Sequence, residues 1–487
     1  MAAEFLRGHG VDLQKEMSKV QFGQASEASS ISNLTIPRPP RQPISKIQGV
    51  RLLSKPPNSL WDVILNEKRI HSISPHAPSL VSRFCPPDVI DGREQFLAPS
   101  LCHPHIHLDK CFLLSDPKYS DLEIVKGDFV EALELTGKAK SRFQEDDLLR
   151  RGRWLVTESI AAGVTSIRAF VEVDATVRFK CLDVGLKLKK EFKDRCEIQI
   201  CVFAQDPVMT TGKNPEGQKL IEEALGRKGV DVVGSTPYVE GDEYKMRENI
   251  TWAISTALKY GKHLDFHLDY NLDPNQKALT EYVIERLKAQ HWIAYTRDKT
   301  IVLGHCTRLT MFTADQWRQL RTNLADLPIS FIGLPTSDIF MMDKPSPQEG
   351  GGQRVRGTLQ IPSMIQKYNL QGAISVNNVG NAFTPQGSCD PMAIASMGVG
   401  LYQAGTKRDT ELLFECVSTR AKAAIGNARS ELGLKEGDYA DFVLFGAKKV
   451  GDETYLGKPR GRNTIQEIIY DPPHERRTVY RGCLIAF

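Results

Sequence analysis

The sequence predicts an α/β chain in which a (β/α)8 barrel of the TIM type carries a small β-sandwich built from both chain ends. Three observations predict it. From 98 to 426, eight short apolar runs alternate with long amphipathic stretches of helical period, the pattern of βα units around a parallel sheet. On either side of that region the pattern changes to short β-rich runs separated by turn residues. The first of the eight runs ends in a cluster of histidines, and the C-terminal strand ends are where such a barrel places its chemistry.

Taken in order, residues 1–43 read as a tail without chemistry. They have a Ser-rich middle followed by TIPRPPRQP, composed like a stiff proline linker. Residues 44–97 hold KIQGVRLL, WDVILNEKRIHSI and DVIDGREQFLAP, read as hairpins and as the N-terminal part of the sandwich. The barrel, 98–426, is marked by FLAPSLCHPHIHL, GVTSIRAFVEV, EIQICVFAQ, VDVVGSTPY, HLDFHLDY, TIVLGHC, ISFIGLP and GAISVNN. Helical stretches such as DLLRRGRWLVTESIAA and EGQKLIEEALGRK fall between them. Residues 427–487, with GLKEGDYADFVLF and TVYRGCLIAF, complete the sandwich. The triplet Gly350-Gly351-Gly352 reads as a mobile loop after the seventh strand and a candidate lid.

Composition narrows the function class. With 487 residues, 41% hydrophobic and 25% charged, the chain is composed like a folded soluble protein, and no apolar stretch is long enough to span a membrane. The 63 Lys and Arg against 59 Asp and Glu leave +4 and no basic run, so charge points to no nucleic acid. Ten cysteines without a CxxC pair suit a reducing compartment, and the N-terminus lacks the apolar core of a secretory signal. A cytoplasmic protein acting on a small molecule is the expectation.

Side chains two apart on a strand share a face, so His105 and His107 are expected to project together into the barrel mouth as imidazole ligands. The plain alternative is two satisfied surface histidines. The fifth run puts His263, Asp265, His267 and Asp269 on one face, which is costly to bury unless a metal, a substrate or each other satisfies them. The sixth ends in His305 beside Cys306, and adjacent strand residues face opposite sides, which argues against a Cys–His pair. A nitrogen-rich cluster of this kind suits Zn or Fe, with which a barrel turns bound water into hydroxide.

On the HxH segment, on Gln199-Ile200-Cys201-Val202-Phe203-Ala204-Gln205, on 229–244, on PQGSCDPM and on the closing GLKEGDYADFVLF, the chain from 44 to its end resembles the amidohydrolase superfamily, in its cytosine deaminase-like branch. The resemblance implies that His105, His107 and His267 are metal ligands and that His305 polarises the substrate or holds the attacking water. It implies that Gln205 reads the ring edge. No lysine stands where a bridging ligand is expected, which implies one divalent metal per chain, and the resemblance allows a homo-oligomer. Two positions depart from it. Asn377 stands where the branch has a metal-binding, proton-accepting aspartate, and Tyr270 where it has a proton-shuttling glutamate. An amide cannot act as a general base and binds the metal more weakly, and a phenol of pKa about 10 is a poor shuttle near neutrality.

Asp269, on the inward face by alternation, is the preferred replacement acid or base, whereas Glu240 and Asp338 read as solvated loop acids. Lys110, beside Asp109, reads as a paired cation or as an anchor for an anionic substrate. The amide-rich run 377–385 reads equally as ring recognition or as loop capping. The expected function is metal-dependent hydrolysis of an amide or amidine C–N bond in a small cyclic nitrogenous compound. The alternative is a protein of the same fold that has lost hydrolysis and become an isomerase, a cyclase or a binding protein, because Asn377 and Tyr270 replace the two carboxylates.

Overall fold

The computed structural model describes residues 40–77, 85–209, 216–342, 357–428, 430–446 and 461–485. Before the barrel come β1 (Arg41–Pro43), β2 (Lys46–Val50), β3 (Trp61–Asn66), β4 (Arg69–Pro75), β5 (Val89–Asp91) and β6 (Phe96–Pro99). The barrel strands are β7 (Leu101–His107), β8 (Val164–Glu172), β9 (Glu197–Ala204), β10 (Val230–Ser235), β11 (His263–Leu268), β12 (Ile301–His305), β13 (Ile329–Gly333) and β14 (Gly372–Ile374). After it come β15 (Phe442–Phe445), β16 (Arg476–Tyr480) and β17 (Cys483–Ile485).

Strands β7 to β14 form one parallel sheet in sequence order, with helices such as Glu145–Ala161 and Glu243–Tyr260 between them. The sheet closes on itself just past β14. Asn377 N donates to His105 O at 3.2 Å and His107 N to Asn377 O at 2.8 Å, so the end of the eighth unit pairs with the first strand. The eight apolar runs of the sequence are these eight strands. Their nearly continuous hydrophobicity follows from burial on both faces, as in β8, where every residue is buried.

The two remaining sheets are β1-β17-β16-β15-β6 and β4-β3-β2-β5. They share a core in which Ile47, Val63 and Ile70 from one sheet meet Leu97, Phe442 and Leu444 from the other. Alternation along β15 explains why its FVLF is apolar throughout. Phe442 and Leu444 face the sandwich, whereas Val443 and Phe445 join the barrel's core. Gly163, at φ +104°, immediately precedes β8 with Val443 only 2.8 Å from where its Cβ would stand, so a side chain there would separate sheet and barrel.

One expectation is corrected here. Arg41–Pro43, assigned from sequence to the tail and linker, is a strand, antiparallel to β17 with Gln42 opposite Leu484. Pro43, the last proline of that run, is compatible with an edge strand, where a missing N–H costs nothing. The remainder of the tail and the Gly350-Gly351-Gly352 triplet lie outside the described residues. Among the described residues no helix is long and apolar enough to cross a membrane.

Candidate active site

The site is built at the C-terminal ends of the barrel strands. The register between β7 and β8 slips between His103 and Ile106, around Pro104. This irregularity re-aims the strand end: His103 bonds Ser159 Oγ at 3.2 Å and Cys389 O at 3.1 Å, behind the sheet, while His105 and His107 meet His267. Ser375 pins the strand by donating to His105 O at 2.6 Å and accepting from His105 N at 3.2 Å. Gly304 leaves room for the ring, since a Cβ there would stand 3.1 Å from His105 Cε1. Phe170 lies against His105 at 4.1 Å between ring centroids, and Phe203 against His267 at 4.4 Å, which fixes both imidazoles from the side.

His267 Nε2 stands 3.2 Å from His105 Nε2 and 3.1 Å from His107 Nε2, and all three residues are buried. Three ring nitrogens at that spacing cannot all be satisfied by one another, because a shared proton serves one pair. A tetrahedral ion with Zn–N bonds of about 2.0–2.1 Å would set its ligands about 3.3 Å apart, close to what is seen. Burial first, then the positive charge of neighbouring groups, holds the three imidazoles well below their ordinary pKa, in the neutral form that ligates metals. Asn377 Oδ1 is buried beside them without a hydrogen-bond partner, while its Nδ2 donates to Ser337 Oγ at 2.7 Å. The donor set therefore fits one divalent ion.

Below the histidines, Asp265 Oδ2 accepts from Arg168 Nη1 at 2.9 Å, with Oδ1 3.8 Å from His105 Nδ1. Burial pushes the Asp265 carboxyl up to about 7 against the pull of Arg168. His263 turns away to Thr300. Of the four polar residues on the β11 pattern, His267 alone enters the pocket.

His305 is joined to a carboxylate that the sequence reading treated as solvated. His305 Nδ1 bonds Asp338 Oδ1 at 2.7 Å, and Thr358 Oγ1 donates to Asp338 Oδ2 at 2.8 Å. Asp338 is 0% exposed, in the helix Pro335–Met341 that follows β13. Burial raises its carboxyl above the usual range, opposed by the bonds from His305 and Thr358. Tyr270 packs against His305 at 4.0 Å between centroids with the rings tilted by 39°, and burial holds its phenol well above its ordinary value, so it stays protonated.

Asp269 is not at the site. The strand ends at Leu268, and Asp269 takes φ +51°, which ends the alternation that would have turned it inward. Its Oδ1 accepts from Leu279 N at 2.7 Å, and its Oδ2 from Thr280 N at 3.0 Å and Thr280 Oγ1 at 2.6 Å. Both oxygens are consumed in holding the following loop. Glu240 is likewise a buried structural acceptor, bonded by the N–H groups of Val208 and Met209 and by Asn249. Cys306 is buried at φ +47°, and burial keeps its thiol well above its usual pKa, so it offers no nucleophile.

The pocket above the histidines has about 300 Å³ of space, counting the part open to solvent. Phe129, Tyr238, Tyr270 and Phe383 give it aromatic walls, and Lys110, Gln205, Asn377 and Asn378 its polar ones. Lys110 is both paired and pocket-facing: its Nζ donates to Glu172 Oε1 at 2.7 Å and to Gln205 Oε1 at 3.1 Å. The amide-rich run divides its roles. Asn381 caps backbone groups, whereas Asn377 and Asn378 line the pocket.

No family model matches the chain. The N-isopropylammelide isopropyl amidohydrolase of Pseudomonas sp. (strain ADP) is 22% identical to it over 400 residues, which cover 80% of this chain and 87% of that protein. The chain is similar to an amidohydrolase over most of its length. Among solved folds, the chain is similar to 5-methylcytosine deaminase from Klebsiella pneumoniae liganded with 5-fluorocytosine. The TM-score is 0.75 at 20% identity, covering 90% of this chain and 97% of that one. It is also similar to an adenosine deaminase from Xanthomonas campestris with bound Zn, with a TM-score of 0.58 at 14% identity over 92% and 94% of the two chains. These relatives are named as an amidohydrolase and as deaminases, and the likeness extends over nearly the whole chain.

Proposed function

We propose that this protein is an amidohydrolase that hydrolyses an amide or amidine C–N bond of a small cyclic nitrogenous compound bound between the aromatic and amide walls of the pocket. The observation that carries the reading is the convergence of three neutral imidazole Nε2 atoms beside a His–Asp pair at the floor of the pocket. His105, His107 and His267 would hold one Zn or Fe, with Asn377 Oδ1 as a weak neutral fourth donor. A divalent ion there supplies Lewis acidity, which lowers the pKa of water and polarises a C–N centre.

The residues of the chain then divide the remaining work. Asp338 fixes the ring of His305 and the proton on its Nδ1, which leaves Nε2 to accept a proton from the attacking water and return it to the leaving nitrogen. Tyr270, still protonated, covers the far face of His305 and narrows access of bulk water. Gln205 and Asn378 orient the ring. The alternative of lost hydrolysis drew its support from Asn377 and Tyr270 in place of two carboxylates. The buried Asp338 bonded to His305 counts against that alternative, because it gives His305 a carboxylate partner with which to move protons.

The test is elemental analysis of protein purified without chelator, beside His105→Ala, together with a screen of cyclic amides and aminoheterocycles for release of ammonia or amine. The expected result is about one Zn or Fe per chain, lost in the variant, and metal-dependent release from one substrate class. Metal-free protein that stays inert after reconstitution overturns the proposal.

A further inference from the structure

The floor of the pocket is shut off from solvent. His107, His267, His305, Asn377 and Asn378 are each at most 3% exposed, so a ring reaches them only where a wall gives way. One wall stands apart from the barrel frame. The helix Phe129–Lys140 lies between the end of β7 and the returning helix Glu145–Ala161, outside the alternation of strand and helix, and it brings Phe129 into the pocket lining. The Phe129 ring centroid stands 5.8 Å from that of Phe383, 5.9 Å from that of Tyr270 and 6.1 Å from that of Tyr238, so one side chain joins the aromatic walls above the histidines.

The two ends of this helix are held differently. At the C-terminal end Ala139 is packed in the barrel core, and Lys140 Nζ is ringed by three carboxylates, Glu172 Oε2 at 2.7 Å, Asp206 Oδ2 at 3.1 Å and Asp174. Glu172 is the last residue of β8, so this end is tied to the sheet, and a buried cation is costly to pull away from its partners. At the N-terminal end Phe129, Ala132 and Leu133 pack with Met341, Met342 and Phe383 in a small apolar cluster separate from the barrel core. Val125 and Val130 beside it are 83% and 64% exposed. Glu131 accepts from the N–H groups of Val125, Lys126 and Gly127 at 2.9, 2.9 and 2.6 Å, which holds the approaching turn and the start of the helix together as one piece. A segment with few buried apolar contacts opens at lower cost than the core that carries it.

Gly137 lies between the two ends. A Cβ added there would meet no atom within 4 Å, so packing does not demand a glycine, and glycine in a helix interior makes that turn easier to break. From these observations, and on the reading of the pocket as the substrate site, we propose that Phe129–Lys140 is a lid. It bends at Gly137 with Lys140 fixed, lifts Phe129 off Tyr270 and Phe383 to admit a ligand, and closes again above it. The structure shows the closed state.

Diethyl pyrocarbonate acylates neutral imidazole, and three histidines of the full-length protein, cleared of metal by chelator, grade its access. His291 is exposed, His305 lies under the lid, and His103 is buried behind the sheet, where unfolding alone frees it. Labelling read by peptide mass spectrometry is expected to be fastest at His291, at least about tenfold slower at His305 and slower again at His103. Gly137→Ala is expected to slow labelling of His305 about fivefold and to leave His291 unchanged, because the bend then breaks a better helix former. Phe129→Ala, which takes away the cover itself, is expected to speed His305. Melting curves identify a variant that fails to fold, and the exposed Gly137→Ala keeps the test available if Phe129→Ala does. Equal rates at His305 and His103, or a His305 rate that neither variant changes, overturns the lid. Faster labelling in Phe129→Ala without slowing in Gly137→Ala shows a fixed cover and overturns it as well. Labelling reads access and not turnover, so a protein that opens in this way but releases no ammonia or amine keeps the lid and loses the proposed hydrolysis.

Discussion

Asp338 Oδ1 and His305 Nδ1 are 2.7 Å apart, a contact that joins the helix after β13 to the end of β12. A carboxylate accepts and does not donate, so the proton of the pair lies on Nδ1 and Nε2 is free to act as a base. Asp338→Asn would let the amide donate instead and force the other tautomer. The variant is expected to fold and to bind substrate with little change in KM, while kcat falls on the order of 10²–10³-fold. Steady-state kinetics beside a melting curve check this, and an unchanged kcat would remove Asp338 from the proton path.

Asp269 leads to the opposite expectation. Its oxygens are spent on Leu279 N, Thr280 N and Thr280 Oγ1, so its role is to hold the loop after β11. Asp269→Ala is expected to cost about 1–3 kcal/mol of stability through the unpaired N–H groups it leaves. Denaturant unfolding measures that loss. A loss of turnover with full stability would return Asp269 to the chemistry.

These two residues show what the sequence carried and where it stopped. Eight apolar runs and the HxH spacing are local patterns, and alternation within a strand was enough to bring His105 and His107 to one face. Alternation ends where the backbone leaves the strand, and the positive φ of Asp269 cannot be read from HLDFHLDY. Asp338 was passed over for a related reason. Its partner lies 33 positions away on another unit, and nothing in PTSDIFM marks the fourth residue of that helix as facing the mouth. Arg41–Pro43 was misread because its pairing partner is at the far end of the chain.

His263 connects the barrel to pH. Its Nδ1 accepts from Thr300 N at 2.9 Å, a bond available to the neutral ring alone, and burial lowers its pKa from 6.5 to about 3. Below 6.5 the unfolded chain takes up a proton that the folded chain refuses until about 3. This contribution is therefore complete above 6.5 and is lost as pH falls between the two values. His263→Gln, which lacks that proton uptake, is expected to show a smaller fall in Tm than the wild type between about pH 7 and about pH 5. Parallel slopes for the two proteins would show that His263 is not part of the acid sensitivity.

Asn377 is the position where a single change should strengthen the site. Its Nδ2 is held by Ser337 Oγ at 2.7 Å, and Ser337 is held in turn by Thr384 Oγ1 at 2.5 Å, so the side chain is fixed from behind with Oδ1 left unpartnered among the histidines. Asn377→Asp keeps that oxygen in place and adds a negative charge. The new Oδ2 can accept from the Ser337 hydroxyl, so no buried polar group is stranded. An anionic oxygen binds a divalent ion more tightly than an amide oxygen does. Retention of Zn or Fe against a graded chelator challenge should rise by about tenfold or more in the variant. The same variant of a His267→Ala background should gain little, because a carboxylate cannot replace a missing corner of the cluster. Equal retention in wild type and Asn377→Asp would place Asn377 outside the ligand shell and leave three histidines to hold the ion.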